Sequence, residues 1–191
     1  MAQHTKAGFT SGRGAVCDHF LVLGTWGIGK STLLREYKRI CQARGDVAAI
    51  VPVSSFDANA TLLESSRAIV EGILRDLPFD FNRLRKVGLF FNQVGITVLG
   101  TGISFTRKAA ELTPQAFLHD ILLKLWHDVQ SSSQTLTILL DDIDNLVGLP
   151  QAVMMLRQTL SMASIVRQTR MLAGLACTPK SWQGLTDNQV V

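Results

Sequence analysis

Residues 24–32, Gly24-Thr25-Trp26-Gly27-Ile28-Gly29-Lys30-Ser31-Thr32, satisfy the spacing G-x-x-x-x-G-K-[ST], and these residue types suit the grip of a polyphosphate. Glycines let the backbone close around the phosphates. Successive N–H groups and the positive end of the following helix then point at the oxygens. Lys30 would reach the β- and γ-phosphates, the Ser31 hydroxyl would ligate a bridging Mg²⁺, and Thr32 would carry the chain on into the helix. Trp26 would either shield the phosphates or pack on a sheet, and the apolar area a Trp buries favours packing.

A second group of chemically capable residues closes the run 136–142. Leu136-Thr137-Ile138-Leu139-Leu140 reads as a buried strand, and Asp141-Asp142 follow it at once. In company with a phosphate loop, Asp141 would hold Mg²⁺ through its waters. Asp142 would polarise an attacking water as general base, with Asp144 as a third carboxylate nearby. An acidic strand-to-loop junction is common by itself, so its weight comes from the pairing with Lys30.

The elements needed to position these groups are legible around them. Residues 19–23 read as a short buried strand, and Leu33, Leu34, Tyr37, Ile40 and Cys41 repeat at helical spacing. Residues 46–53 form a nearly continuous apolar run, the pattern of a strand covered on both faces. A second helix is expected from Leu62 to Leu77, stopped by Pro78. Thr113-Pro114 supplies an N-cap and a first-turn proline for another, which residues 131–133 end. Leu149-Pro150 opens one more helix, and residues 170–177 make a final strand. Residues 94–106 interrupt the alternation with partial period-two patterning around Gly100-Thr101-Gly102, an inserted β-hairpin. The fold class expected is α/β: a three-layer α/β/α sandwich on a mostly parallel sheet, in a single domain spanning 1–191.

Composition narrows the remaining chemistry. The chain has 191 residues, 47% of them hydrophobic, enough for one sizeable core. Its net charge of +4 is scattered, and Arg83-Leu84-Arg85-Lys86 reads as a solvated helix end rather than a nucleic-acid patch. Cys17, Cys41 and Cys177 are odd in number and make no C-x-x-C pair, which favours thiols in a reducing compartment. No apolar run approaches the roughly 18 residues a spanning helix needs, and no signal peptide is evident, so a soluble cytoplasmic protein without membrane contact is expected. His119 and His127 lie eight positions apart on one helix, about 12 Å along its axis, too far for one ion. Arg157, Arg167 and Arg170 read as solvated arginines rather than transition-state cations.

Together, residues 24–32, 136–144 and 170–179 resemble the P-loop NTPases of the AAA+ and STAND type, most nearly the Orc1/Cdc6-like and archaeal-type AAA ATPase domains, in the order of elements over residues 10–185. That resemblance implies ATP and Mg²⁺ as ligands and Lys30 and Asp142 as the catalytic pair. It also implies a γ-phosphate-sensing role for Thr178 and an adenine-side element at Gly12-Arg13. Two departures stand out: Asp142 where the family usually has Glu, and a chain that stops before the fifth core strand, arginine finger and helical lid, as in a truncated module. Neither N-K-x-D nor L-S-G-G-Q occurs, which argues against a GTPase or an ABC ATPase. Three readings stay open: an ATPase coupling ATP/ADP state to a DNA or protein partner, as a homo-oligomer; a STAND-like nucleotide-gated signalling module; and an inactive nucleotide-binding fragment.

Overall fold

The computed structural model describes residues 19–53, 61–77, 96–99, 102–105, 113–144 and 150–187. In chain order the elements are β1 (Phe20–Leu23), α1 (Lys30–Ala43), β2 (Val47–Pro52), α2 (Leu62–Asp76), β3 (Ile96–Leu99) and β4 (Gly102–Phe105). They continue with α3 (Pro114–Val129), β5 (Leu136–Asp141), α4 (Pro150–Leu160), α5 (Ala163–Gln168), β6 (Met171–Cys177) and α6 (Pro179–Asp187). Pro78, Arg83-Leu84-Arg85-Lys86, Gly12-Arg13, Cys17 and Leu149 lie outside the described residues.

Helix starts follow their local chemistry. Thr61 and Glu64 form a reciprocal capping box at the head of α2, and the Thr113 hydroxyl accepts from the Ala116 N–H at 3.2 Å just before Pro114 opens α3. The helices α5 and α6 were not anticipated from periodicity; both are short. Ile96–Leu99 pairs antiparallel with Gly102–Phe105, so the hairpin expected within 94–106 is present as its own two-stranded sheet.

The four remaining strands form one parallel sheet in the order β1-β6-β5-β2. Phe20 pairs with Gly174, Leu139 also pairs with Gly174, and Ile50 pairs with Leu139, so the last strand of the chain is central. Alternate residues face opposite layers. Leu136, Ile138 and Leu140 join Met171, Ala173 and Cys177 in the main core beneath α2, α3 and α4, where Phe117, Leu118, Ile121 and Leu122 are fully buried. Burying each such side chain contributes about 1.5–3 kcal/mol. Leu139 and Ala176 face the other way and pack on Leu34 of α1, flanked by Phe20, Tyr37 and Ile50. The α/β/α sandwich expected from the sequence is therefore observed. Its open β2 edge is partly closed by Asp76, whose carboxylate accepts from the Ile50 N–H and pairs with Lys38 at 2.7 Å.

Gly174 is required by close approach. A Cβ there would lie 2.4 Å from Phe20 Cζ and 2.7 Å from Leu139 Cδ2. Gly174→Ala is expected to lower unfolding free energy by about 1–3 kcal/mol through overpacking; urea denaturation indistinguishable from wild type would contradict this packing.

Candidate nucleotide site

All four strands of the parallel sheet end on one edge, so the segments after β1, β5 and β6 meet there. The Gly24 N–H donates to the Cys177 carbonyl at 3.2 Å, which fastens the start of the glycine loop to the end of β6. Because β6 stands between β1 and β5, the loop and the acidic turn are two strand spacings apart, about 10 Å. That gap suits a phosphate group with a metal ion.

The loop is built for close backbone approach. Gly27 and Gly29 have φ of 76° and 95°, a region costly to residues with a Cβ. Gly24 is buried, and a Cβ on it would meet Ile28 Cγ2 at 2.6 Å. Helix α1 starts immediately after Gly29 with no side-chain cap and no acidic residue in its first turn. Its first-turn N–H groups and the positive helix end are left to an anion. Ser31 and Thr32 lie in that turn, Ser31 half-buried and Thr32 exposed. Lys30 Nζ donates to the carbonyls of Gly24 and Thr25 at 3.0 and 3.2 Å, which lays its charge across the loop. Trp26 is 78% exposed and Ile28 49%, so the expectation that Trp26 packs on the sheet is incorrect. The loop lies between the end of β1 and the start of α1, and the ring stands in solvent there.

On the acidic side, Asp141 ends β5, and its Oδ1 is buried with no hydrogen-bond partner among the described residues. Such an orphaned oxygen is costly unless a donor or cation meets it. With the Ser31 hydroxyl it makes a hard-oxygen donor set of the kind Mg²⁺ takes, so the residues present fit that ion. Asp142 follows with φ of 60°, a turn that Asp tolerates better than most residues. Asp144 Oδ1 accepts from the Thr178 N–H at 3.0 Å and the Thr178 hydroxyl at 2.6 Å, and the Ser181 hydroxyl lies 2.9 Å from the Thr178 hydroxyl.

The two carboxyls titrate in opposite directions. Burial, then the hydrogen bond and negative charge of Asp144, push the Asp142 carboxyl above the usual carboxylate range, with Lys30 pulling it back in part. Burial also works to raise Asp144, but the donors from Ser181 and Thr178 outweigh it and hold that carboxyl low. Asp142 is thus the less acidic carboxyl of the pair and Asp144 the more acidic. Lys30 acts on Asp142 and also on Cys177, which places both halves of the site within one electrostatic reach.

Other candidates from the sequence are not brought here. His119 bonds Asp120 at 2.9 Å and Ser164 at 2.6 Å, and no cluster of metal-ligating side chains occurs among the described residues. Arg170 precedes β6 and so lies at the opposite end of the sheet from the loop. The Cys177 thiol is pushed up to about 12, mainly by burial, and is no nucleophile. Ser181 was missed by the sequence reading. Its signal was present, since Thr178-Pro179 repeats the Thr113-Pro114 start and places Ser181 in the first turn of a helix.

A glycine loop running from a parallel strand into an uncapped helix, with an acidic strand end two spacings away, defines a P-loop NTPase domain, a nucleotide-binding class. Residues 18–161 match the KAP family P-loop domain, and the chain belongs to that family. No curated protein shows a significant match to it. The matched stretch ends before β6, although that strand occupies the centre of the sheet.

A carboxyl whose folded pKa is raised stabilises the fold at low pH, and that contribution is lost as pH rises through the folded value. Asp142 is of this kind, whereas Asp144, held low, supports the fold above the ordinary carboxylate range and loses that support in acid. Asp142→Asn should therefore melt above wild type at neutral pH, with the gap closing as pH falls to about 4. A gap that widens in acid would contradict the burial of Asp142 beside Asp144.

Proposed function

We propose that this domain binds Mg·ATP and hydrolyses its γ-phosphate, coupling nucleotide state to a partner. The carrying observation is the convergence at one sheet edge of the Lys30 loop and the Asp141–Asp142 turn, with Lys30 acting electrostatically on Asp142. In this reading the backbone of residues 24–32 cradles the phosphates, and Lys30 leaves the Gly24 and Thr25 carbonyls for the β- and γ-phosphates. Ser31 and Asp141 hold Mg²⁺, which would supply charge neutralisation at the phosphates. Asp142 accepts a proton from the attacking water; its raised pKa makes it a better base than an ordinary Asp. The absence of N-K-x-D from the sequence favours adenine over guanine.

The finer resemblance to AAA+ and STAND ATPases draws support from the strand order, in which β6 separates the loop strand from the acid strand and ends beside Thr178. Thr178 already spends its hydroxyl on Asp144, so a sensing role for it requires an exchange of partners. A nucleotide-gated switch is the second reading. It is favoured by Asp142, whose side chain is one methylene shorter than the Glu usual in such ATPases, which slows turnover. In a homo-oligomer a second copy would meet the γ-phosphate side of the site. A DNA or protein partner would read the change. Cytoplasmic residence accords with buried free thiols at Cys41 and Cys177, and no described helix is long and apolar enough to cross a membrane.

Calorimetric titration of Mg·ATP should give binding to wild type and none to Lys30→Ala. Asp142→Asn should retain binding while steady-state phosphate release falls by about 10²–10⁴. Equal affinity of wild type and Lys30→Ala would sink the proposal.

A further inference from the structure

We propose that Ser164, His119 and Asp120 form a second reactive centre, apart from the nucleotide site, whose serine takes the acyl group of small activated esters. The fold brings the three together from two helices. His119 and Asp120 follow one another in α3, and Ser164 lies 45 residues beyond His119, in α5. Both ring nitrogens are engaged: Nδ1 meets Asp120 Oδ1 at 2.9 Å, and Nε2 meets the Ser164 hydroxyl at 2.6 Å. A carboxylate can only accept. The neutral ring that serves both contacts therefore carries its proton on Nδ1 and turns the Nε2 lone pair to the Ser164 hydroxyl. Carboxylate, imidazole and hydroxyl in that order convert a weak alcohol into a nucleophile.

Packing fixes the two backbones that carry the group. Leu118 and Ile165, the chain neighbours of His119 and Ser164, are 0% and 2% exposed in the main core. The reactive side chains nonetheless reach solvent: that of His119 is 15% exposed, that of Asp120 47%, and Ser164 is half-buried. Access from the surface suits a small ester with a good leaving group. Ser164 Oγ attacks the carbonyl carbon while its proton passes to His119 Nε2. The bond to the leaving oxygen then breaks, and Nε2 returns the proton to that oxygen. Water repeats the sequence on the acyl-serine, which releases the carboxylic acid and restores the hydroxyl. Arg167 stands exposed one helical turn beyond Ser164, so a cation is within reach of the negative charge that collects on the carbonyl oxygen. Asp120 touches no reacting atom and is a positioning residue for the ring.

The test is p-nitrophenyl acetate hydrolysis by the 191-residue chain, together with a fluorophosphonate probe whose adduct is located by peptide mass mapping. In the wild type the adduct should fall on Ser164, a readout that needs no variant to fold. Ser164→Ala should abolish the adduct and the protein-dependent release of p-nitrophenol, and His119→Gln should slow both by about 10². Asp120→Asn, which favours the other tautomer, should lower kcat about tenfold with KM unchanged, and Asp120→Glu should recover part of the loss. A merely structural set of hydrogen bonds would leave Ser164 unlabelled, or labelled as fast in His119→Gln as in wild type. Either result would overturn the proposal. Lys30→Ala should keep ester hydrolysis within about twofold of wild type, because the two sites are independent. A loss of ester hydrolysis in that variant would place the chemistry in the nucleotide site and overturn the proposal as well.

Discussion

Everything at the nucleotide site depends on one strand being in the middle. β6 pairs in parallel with β1 on one side and β5 on the other, and its last carbonyl receives the Gly24 N–H. Without it the glycine loop and the acidic turn would have no fixed separation. Parallel pairing puts all three strand ends on one edge. The interposed strand sets a gap of about two spacings between loop and acids. Gly174 shows how tightly that position is filled, since Phe20 and Leu139 approach it from both neighbouring strands.

The site that results holds opposite charges apart without neutralising them. Lys30 is tied to two carbonyls of its own loop, while Asp141, Asp142 and Asp144 crowd the other side. Carboxylates gathered in partial burial cannot all ionise freely, so the cluster divides its load. Asp144 takes the donors from the head of α6 and keeps its charge; Asp142, with fewer donors, is pushed toward its protonated form. Asp142 bears the cost of that arrangement, because burial and crowding oppose its ionisation in the folded chain.

The family assignment and the architecture agree while covering different stretches of chain. The KAP match takes in β1 through α4 and stops at residue 161. The sheet it describes is completed by β6, and the acidic turn is anchored by α6, both beyond that point. A nucleotide domain of this kind is therefore a unit of tertiary pairing.

Much was legible in the sequence where the physics is local. The loop spacing, the helical repeat after Lys30, the apolar runs at 47–53 and 136–140, the Thr113-Pro114 start and the hairpin turn at 100–102 each follow from residue types within a few positions. The P-loop class came from those alone. Strand order did not, because pairing joins Phe20 to Gly174 across most of the chain and parallel strands carry no short turn to mark their partners. The exposure of Trp26 was likewise hidden, since its apolar area says what burial would gain but not whether a surface is there to receive it. The hold of Thr178 on Asp144 emerged only when the fold set the head of α6 beside the acidic turn. Sequence determined which groups could bind phosphate and move a proton; tertiary structure decided which of them meet, because hydrogen bonds act only over the last few ångströms and that proximity is set by packing.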